Sequence, residues 1–139
     1  MTLPPGYRLL ETPPALEDYL HLRAASGLRP KNVAQGTGAI TGSWSFRHVV
    51  SPDGDAVAMG RIIGDGGWYF LVADMATLPE HQGRGLGSAI LDSLLADIRE
   101  RAPQGAWVNL AAEPEGVRLY ESRGFEDMAP RWTGMHRVV

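Results

Sequence analysis

The chain contains no cysteine. Disulfides, thiolate metal sites and a cysteine nucleophile are therefore excluded, and an enzyme that passes its acyl group through a thiol cannot be this one. Long apolar runs are missing too. The longest, Trp68 to Ala73, is far below the roughly 18 residues of a membrane span, and Met1-Thr2-Leu3-Pro4-Pro5 has neither the basic start nor the apolar body of a signal peptide. Neither sign of charge dominates: a net charge of −3 with 21% charged residues argues against disorder and against a broad nucleic-acid surface. Any anion site must be local. No pair of histidines has metal-ligand spacing with an acid, so no metal site is expected. No repeat, low-complexity tract or linker marks a boundary, and 139 residues are one domain's worth. The expectation is a single domain over 1–139, soluble and cytoplasmic, without a nucleic-acid or membrane partner.

What the chain does have is glycine in a particular place. Gln82-Gly83-Arg84-Gly85-Leu86-Gly87 stands between a strand-like run and an amphipathic helix. Glycines at alternate positions let the backbone approach a ligand without Cβ atoms in the way, and the free N–H groups of a helix start point at whatever anion sits there. A glycine-rich connector would read similarly. The spacing is neither the G-x-G-x-x-G of a dinucleotide fold nor the G-x-x-x-x-G-K-[ST] of a P-loop.

Around this turn the pattern predicts an opening strand over Tyr7–Glu11. A helix from about Pro13 to Ser26 follows, capped by Thr12 and stopped by Gly27. Leu28 to Ser43 is glycine-rich and weakly periodic, with at most a short helix around Lys31 to Gln35. Alternation from Trp44 to Val50 predicts a half-buried strand, Ala56 to Ile63 a second and Trp68 to Thr77 a third, forming an antiparallel meander. Leu86, Ile90, Leu91, Leu94, Leu95 and Ile98 then make one apolar stripe on a helix to about Arg101, ended by Pro103. Trp107 to Ala111 reads as a strand, Glu115 to Ser122 as a short helix closed by Gly124, and Thr133 to Val138 as a last strand. Trp44, Phe46, Trp68 and Tyr69 are core by default, though one or two could wall an aromatic acceptor pocket. His48 reads as packed and His81 as structural.

The wording Thr77-Leu78-Pro79-Glu80-His81 before the glycine turn, the turn itself, and Leu119-Tyr120-Glu121-Ser122-Arg123-Gly124-Phe125 after it resemble the GNAT family of acetyl-CoA-dependent N-acetyltransferases. The element order matches as well. The resemblance implies an α/β fold with a mostly antiparallel central sheet, flanked by helices and splayed between strands four and five to admit the pantetheine arm. It implies acetyl-CoA as cosubstrate and no metal. Backbone N–H groups from Gln82 to Gly87 would hold the pyrophosphate, with Arg84 adding charge, and backbone groups of Met75 and Thr77 would pair with pantetheine like an added strand. Tyr120, a packing residue by spacing alone, would protonate the departing thiolate. Homodimers are common in the family.

Two positions are less settled by the resemblance. Asp74, near the end of an apolar strand, is either paired with a cation such as Arg61 or points into the cleft to take a proton from the acceptor ammonium through water. The run from Asp74 to Gly87 is similar to small-amine acetyltransferases, including plant arylalkylamine ones. Seven residues before Tyr120, where the family frequently has an asparagine that hydrogen-bonds CoA, stands Glu113, with Gly116 where alanine is usual. A carboxylate accepts but does not donate, and Asn109 lies off register by four. The expected activity is acetyl transfer to a primary amine of a small molecule by direct attack in a ternary complex. Alternatives are a protein or peptide acetyltransferase, a non-catalytic acetyl-CoA sensor, and a toxin acting on aminoacyl-tRNA, which would need a basic surface.

Overall fold

The computed structural model describes residues 2–139; Met1, where the expected domain begins, lies outside the described residues. The elements run β1 (Arg8–Leu10), α1 (Leu16–Ala25), α2 (Val33–Gly42), β2 (Ser45–Val50), β3 (Ala56–Gly64), β4 (Tyr69–Thr77), α3 (Leu86–Arg101), β5 (Trp107–Asn109) and α4 (Val117–Glu121). They build one five-stranded sheet in the order β1-β2-β3-β4-β5. The first four strands pair antiparallel and β5 runs parallel to β4.

Each face of the sheet carries its own core. The apolar stripe of α3, from Leu86 through Ile90, Leu91 and Leu94 to Ile98, packs on Val49, Val57, Ile62, Phe70 and Val72. On the other face Tyr19 and Leu22 of α1 pack with Phe46, Met59 and Ala76. Because both faces are covered, all six residues of β2 are buried, which corrects the half-buried strand that its alternation predicts. Its polar side chains are accommodated by partners. Arg47 donates to Ser93 and to the Phe46 carbonyl, and Ser45 donates to Asp97 at 2.5 Å. His48 Nδ1 lies 2.7 Å from the Thr12 carbonyl.

Thr12 is therefore not the cap of α1, which begins after Pro13 and Pro14 at an N-cap, Ala15, with no side-chain bond. The largest departure is α2, ten residues long where at most a short helix is expected. An Asn32–Gln35 capping box starts it: each side chain accepts from the other residue's backbone N–H. Thr133–Val138 is not a strand; it is exposed, irregular chain. Trp68 and Tyr69 are exposed rather than core, at the edge where β4 begins. No helix among the described residues is long and apolar enough to cross a membrane.

Candidate active site

Two irregularities open the sheet. β4 pairs with β5 only over Tyr69–Leu71 against Trp107–Asn109, so the β5-facing edge of β4 from Val72 to Thr77 has no strand partner. Asn109 closes the crotch of this V by donating from Nδ2 to the Phe70 carbonyl at 2.9 Å, so one of its amide hydrogens is committed within the sheet. On its other side β4 bulges. Met59 pairs with Ala76 but Arg61 with Ala73, leaving Gly60 opposite both Asp74 and Met75. A Cβ on Gly60 would meet Met75 Sδ at 2.3 Å and Ile90 Cγ2 at 2.8 Å, so any side chain here would force Met75 and Ile90 to shift. Asp74 takes a φ of +55°, the one non-glycine residue with positive φ among the described residues. Aspartate tolerates this conformation better than most, and such an outlier persists only where its surroundings hold it.

They do hold it. The carboxylate is 5% exposed and accepts from Tyr19 Oη at 2.5 Å, from Arg61 Nε at 2.7 Å and from Arg23 Nη1. Arg23 also donates to the Arg29 carbonyl, and Arg61 donates to Ser43 Oγ at 3.2 Å. One aspartate thus ties α1, the chain after it, the end of α2 and β3 to the bulge. Burial alone would push its carboxyl up, but the Tyr19 hydroxyl and the two guanidinia outweigh this and hold it below the usual carboxylate range. Burial and the same pairing push Tyr19 up to about 12. Asp74 is thus paired with Arg61, one of the two roles its position in the strand allows, and it also lines the cleft.

That cleft, of about 650 Å³, follows the open edge of β4. Asp74, Met75, Thr77, Gln82, Gly83, Gly85, Leu86, Gly87 and Tyr120 all line it, with Ser26 and Leu28 at the α1 end. Of the anticipated residues only Arg84 does not. It stands exposed beside the turn, its nearest polar contact the Glu80 carbonyl at 3.5 Å, and no acid among the described residues pairs with it. Gly83 and Gly85 have φ of +74° and +80°, which side chains rarely adopt, and a Cβ on Gly83 would meet nothing within 4 Å. The space over the turn is open. Gly85 is the N-cap of α3 and has no side chain to cap it, so the first N–H groups of α3 remain for a ligand. Gln82 donates from Nε2 to the Thr77 carbonyl at 3.2 Å, fastening the turn to the end of β4. His81 Nδ1 lies 2.8 Å from Tyr7 Oη.

Tyr120 faces these groups from α4. Its ring packs edge-on against Phe125, 5.9 Å between centroids, and against Gly116, where a Cβ would come to 3.1 Å of its Cε2. The glycine in place of the usual alanine gives this ring room. Burial pushes the phenol up, so it stays protonated through the neutral range. Its hydroxyl has no partner among the described residues, and no polar side-chain atom there is both sealed from solvent and unpartnered, so the O–H is available to the cleft. Residues that sequence reasoning missed are Tyr19, Arg23, Ser26 and Leu28. The one usable signal was the i, i+4 spacing that puts Tyr19 and Arg23 on one face of α1. A second cavity of about 670 Å³, between β5, α3 and the C-terminal segment, is lined by Arg123, Gly124 and Phe125 of the tyrosine motif but by neither Tyr120 nor any residue of the glycine turn.

A sheet parted between a bulged fourth strand and a fifth, with a glycine turn feeding the helix beside the gap, is the architecture of the GNAT acetyltransferases. The chain belongs to that family, whose domain, described as an acetyltransferase (GNAT) domain, matches residues 44–127. It is similar to serotonin N-acetyltransferase 2, chloroplastic, of Oryza sativa subsp. japonica, 37% identical over 82 residues that cover 59% of this chain and 40% of the relative. It is also similar to the ribosomal protein bS18-alanine N-acetyltransferase of Escherichia coli K12, 34% identical over 68 residues, 44% of this chain and 46% of the relative. The chain thus spans less than half the length of these curated relatives. Among solved structures, a Staphylococcus aureus protein of unknown function, described as a probable acetyltransferase, superposes with a TM-score of 0.89 at 28% identity over 96% of this chain and 99% of that one. A GNAT-family acetyltransferase from Streptococcus pneumoniae gives 0.76 at 30% identity, over 96% of each.

Proposed function

We propose that this protein, a single domain over 1–139, transfers an acetyl group from acetyl-CoA to the primary amine of a small molecule, by direct attack within a ternary complex. The observation that carries the reading is the continuous cleft joining the glycine turn, the unpaired edge of β4 and the free Tyr120 hydroxyl. These residues fit the cosubstrate on their own chemistry. Open space over Gly83, unspent N–H groups at the start of α3 and the unpaired Arg84 guanidinium suit a pyrophosphate. Backbone groups around Met75 and Thr77 suit an extended amide-bearing arm.

Acetyl-CoA supplies an acetyl thioester. The ammonium first loses one proton to water; its nitrogen then forms a bond to the carbonyl carbon, the C–S bond breaks, Tyr120 gives its proton to the departing sulfur, and the second proton shed by the nitrogen returns through water to Tyr120. Asp74 is a poor base, because its lone pairs are committed to three donors and its proton affinity is lowered. Its proposed role is to stay ionised and hold α1 and the bulge at the acceptor end of the cleft. Thiol release from acetyl-CoA, measured across small amines, amino acids and peptides with the product identified by mass, tests the reading. Amine-dependent release yielding an N-acetylated product is expected. Release only with peptides would move the activity to protein acceptors, and acetyl-CoA binding without release would leave a sensor.

A further inference from the structure

We propose that the accepted amine also carries a carboxylate, so that the acceptor is an amino-acid-like zwitterion and not a simple alkylamine. This rests on the transferase reading above and adds the substrate class. The charge distribution around the cleft carries it. At the α1 end, Asp74 is the acid that lines the cleft, and it offers no free charge to an incoming ammonium, because Tyr19, Arg23 and Arg61 fill both of its oxygens. Two guanidinia against one carboxylate leave this group with a net charge of +1. Arg61 Nη2 has no acceptor among the described residues and is not sealed from solvent.

The chain leaving α1 adds to the same sign. Ser26 and Leu28 line the cleft, and Arg29 and Lys31 follow immediately, both exposed. The acids of α1, Glu17 and Asp18, lie in its first turn, about one and a half turns or more away from Arg23 along the axis. Across the cleft the sign reverses, since Glu113 and Glu115, on the approach to α4, line the opposite wall. His81 lines the turn end, occupied by Tyr7. None of these cations lines the cleft itself; they stand directly behind Asp74 and Leu28, which do, so a simple ammonium is attracted by the acidic wall and repelled by the charge behind the α1 end. A molecule with an amine and a single negative charge is matched by both, and a charge pattern of this kind selects by excluding the wrong partner as well as by holding the right one.

The test uses wild-type protein and matched acceptors: phenylalanine against phenethylamine, tyrosine against tyramine, leucine against isoamylamine. The expected result is a kcat/KM at least tenfold higher for the carboxylate-bearing member of the best pair, carried by KM. In a protein with both Arg29→Gln and Lys31→Gln, two exposed positions that leave the folded core untouched, this preference should drop at least threefold. Equal or better turnover of the decarboxylated amines overturns the proposal while the transferase reading stands. No thiol release with any member of either series overturns both. A double variant that keeps the full preference removes the loop cations from the argument, and the proposal fails if Arg61→Gln, folded by circular dichroism, keeps it as well.

Discussion

At the glycine turn the cleft is made of backbone; at the α1 end it is made of side chains. Around Gln82 to Gly87 the useful groups are N–H donors exposed by positive-φ glycines, and the one charged side chain, Arg84, is unpaired at the surface. Around Asp74 the backbone is bent into a bulge, and the work is done by a hydrogen-bonded cluster that joins residues 51 and 55 positions apart in sequence. The first construction suits a ligand that is the same in every catalytic cycle, because backbone donors need only local geometry. The second suits an acceptor that differs from protein to protein, since a few side chains brought from different elements can be exchanged without disturbing the sheet.

Removing the charge at the centre of the side-chain end should have the largest effect. Asp74→Asn leaves two largely covered guanidinia short of their counter-charge at a buried carboxylate position, and breaking a buried ion pair costs about 3–5 kcal/mol, enough to lower Tm by roughly 10 °C in a domain of this size. The pH dependence has a definite sign. The folded-state pKa of Asp74 is depressed, so the pairing stabilises fully above the ordinary carboxylate value of about 4 and is lost as pH falls through the lower folded value. The mutant's deficit should therefore be constant at neutral pH and close in acid, while the pH profile of its surviving activity keeps its shape. An alkaline shift of the rising limb of kcat/KM without loss of Tm would restore Asp74 as the base.

Between the two ends sits Tyr120. Tyr120→Phe removes one hydroxyl that has no structural partner, so Tm should hold while kcat falls roughly ten- to a thousandfold and the affinity for acetyl-CoA changes little. Equal kcat in both proteins, with chemistry shown to limit the rate, would make the ring a packing element against Phe125.

The smallest effect belongs to the scaffold of the side-chain end. Asn32→Ala breaks the capping box of α2 and should cost about 1 kcal/mol, read as a shift in Tm of a few degrees with kcat for the best acceptor lowered less than twofold. A large change in acceptor KM would mean that α2 reaches the substrate directly.

The same contrast explains what could be read from sequence. The glycine turn, the α3 stripe, the meander and the tyrosine motif are all local, with periods and spacings that survive in a linear chain. α2 is hidden because Gly36, Thr37, Gly38, Thr41 and Gly42 are poor helix formers. Its reason lies in packing: a Cβ at Gly36 would come to 2.7 Å of Leu16 Cδ1 and 3.0 Å of Leu20 Cδ2, so α1 and α2 need that glycine to approach. The Asn32–Gln35 box was the missed local signal. Burial of both faces of β2 depends on Asp97 and Ser93 arriving from α3, which alternation in β2 cannot reveal. The Arg23–Asp74 pair has no local signature at all. At the other extreme, Thr133–Val138 has strand-like composition, and no pairing realises it.

On the proposed reading, the open edge of β4 and the turn beyond it hold acetyl-CoA through close backbone approach. Titration calorimetry of acetyl-CoA into the wild-type protein and into Gly85→Val tests this most directly, with circular dichroism on both to establish folding, since the variant also strains a residue at φ +80°. One-to-one binding by the wild type, and affinity at least tenfold weaker in the folded variant, more than about 1.4 kcal/mol, is the predicted result. Unchanged affinity in a folded Gly85→Val protein, or a wild-type protein that does not bind acetyl-CoA, would contradict it.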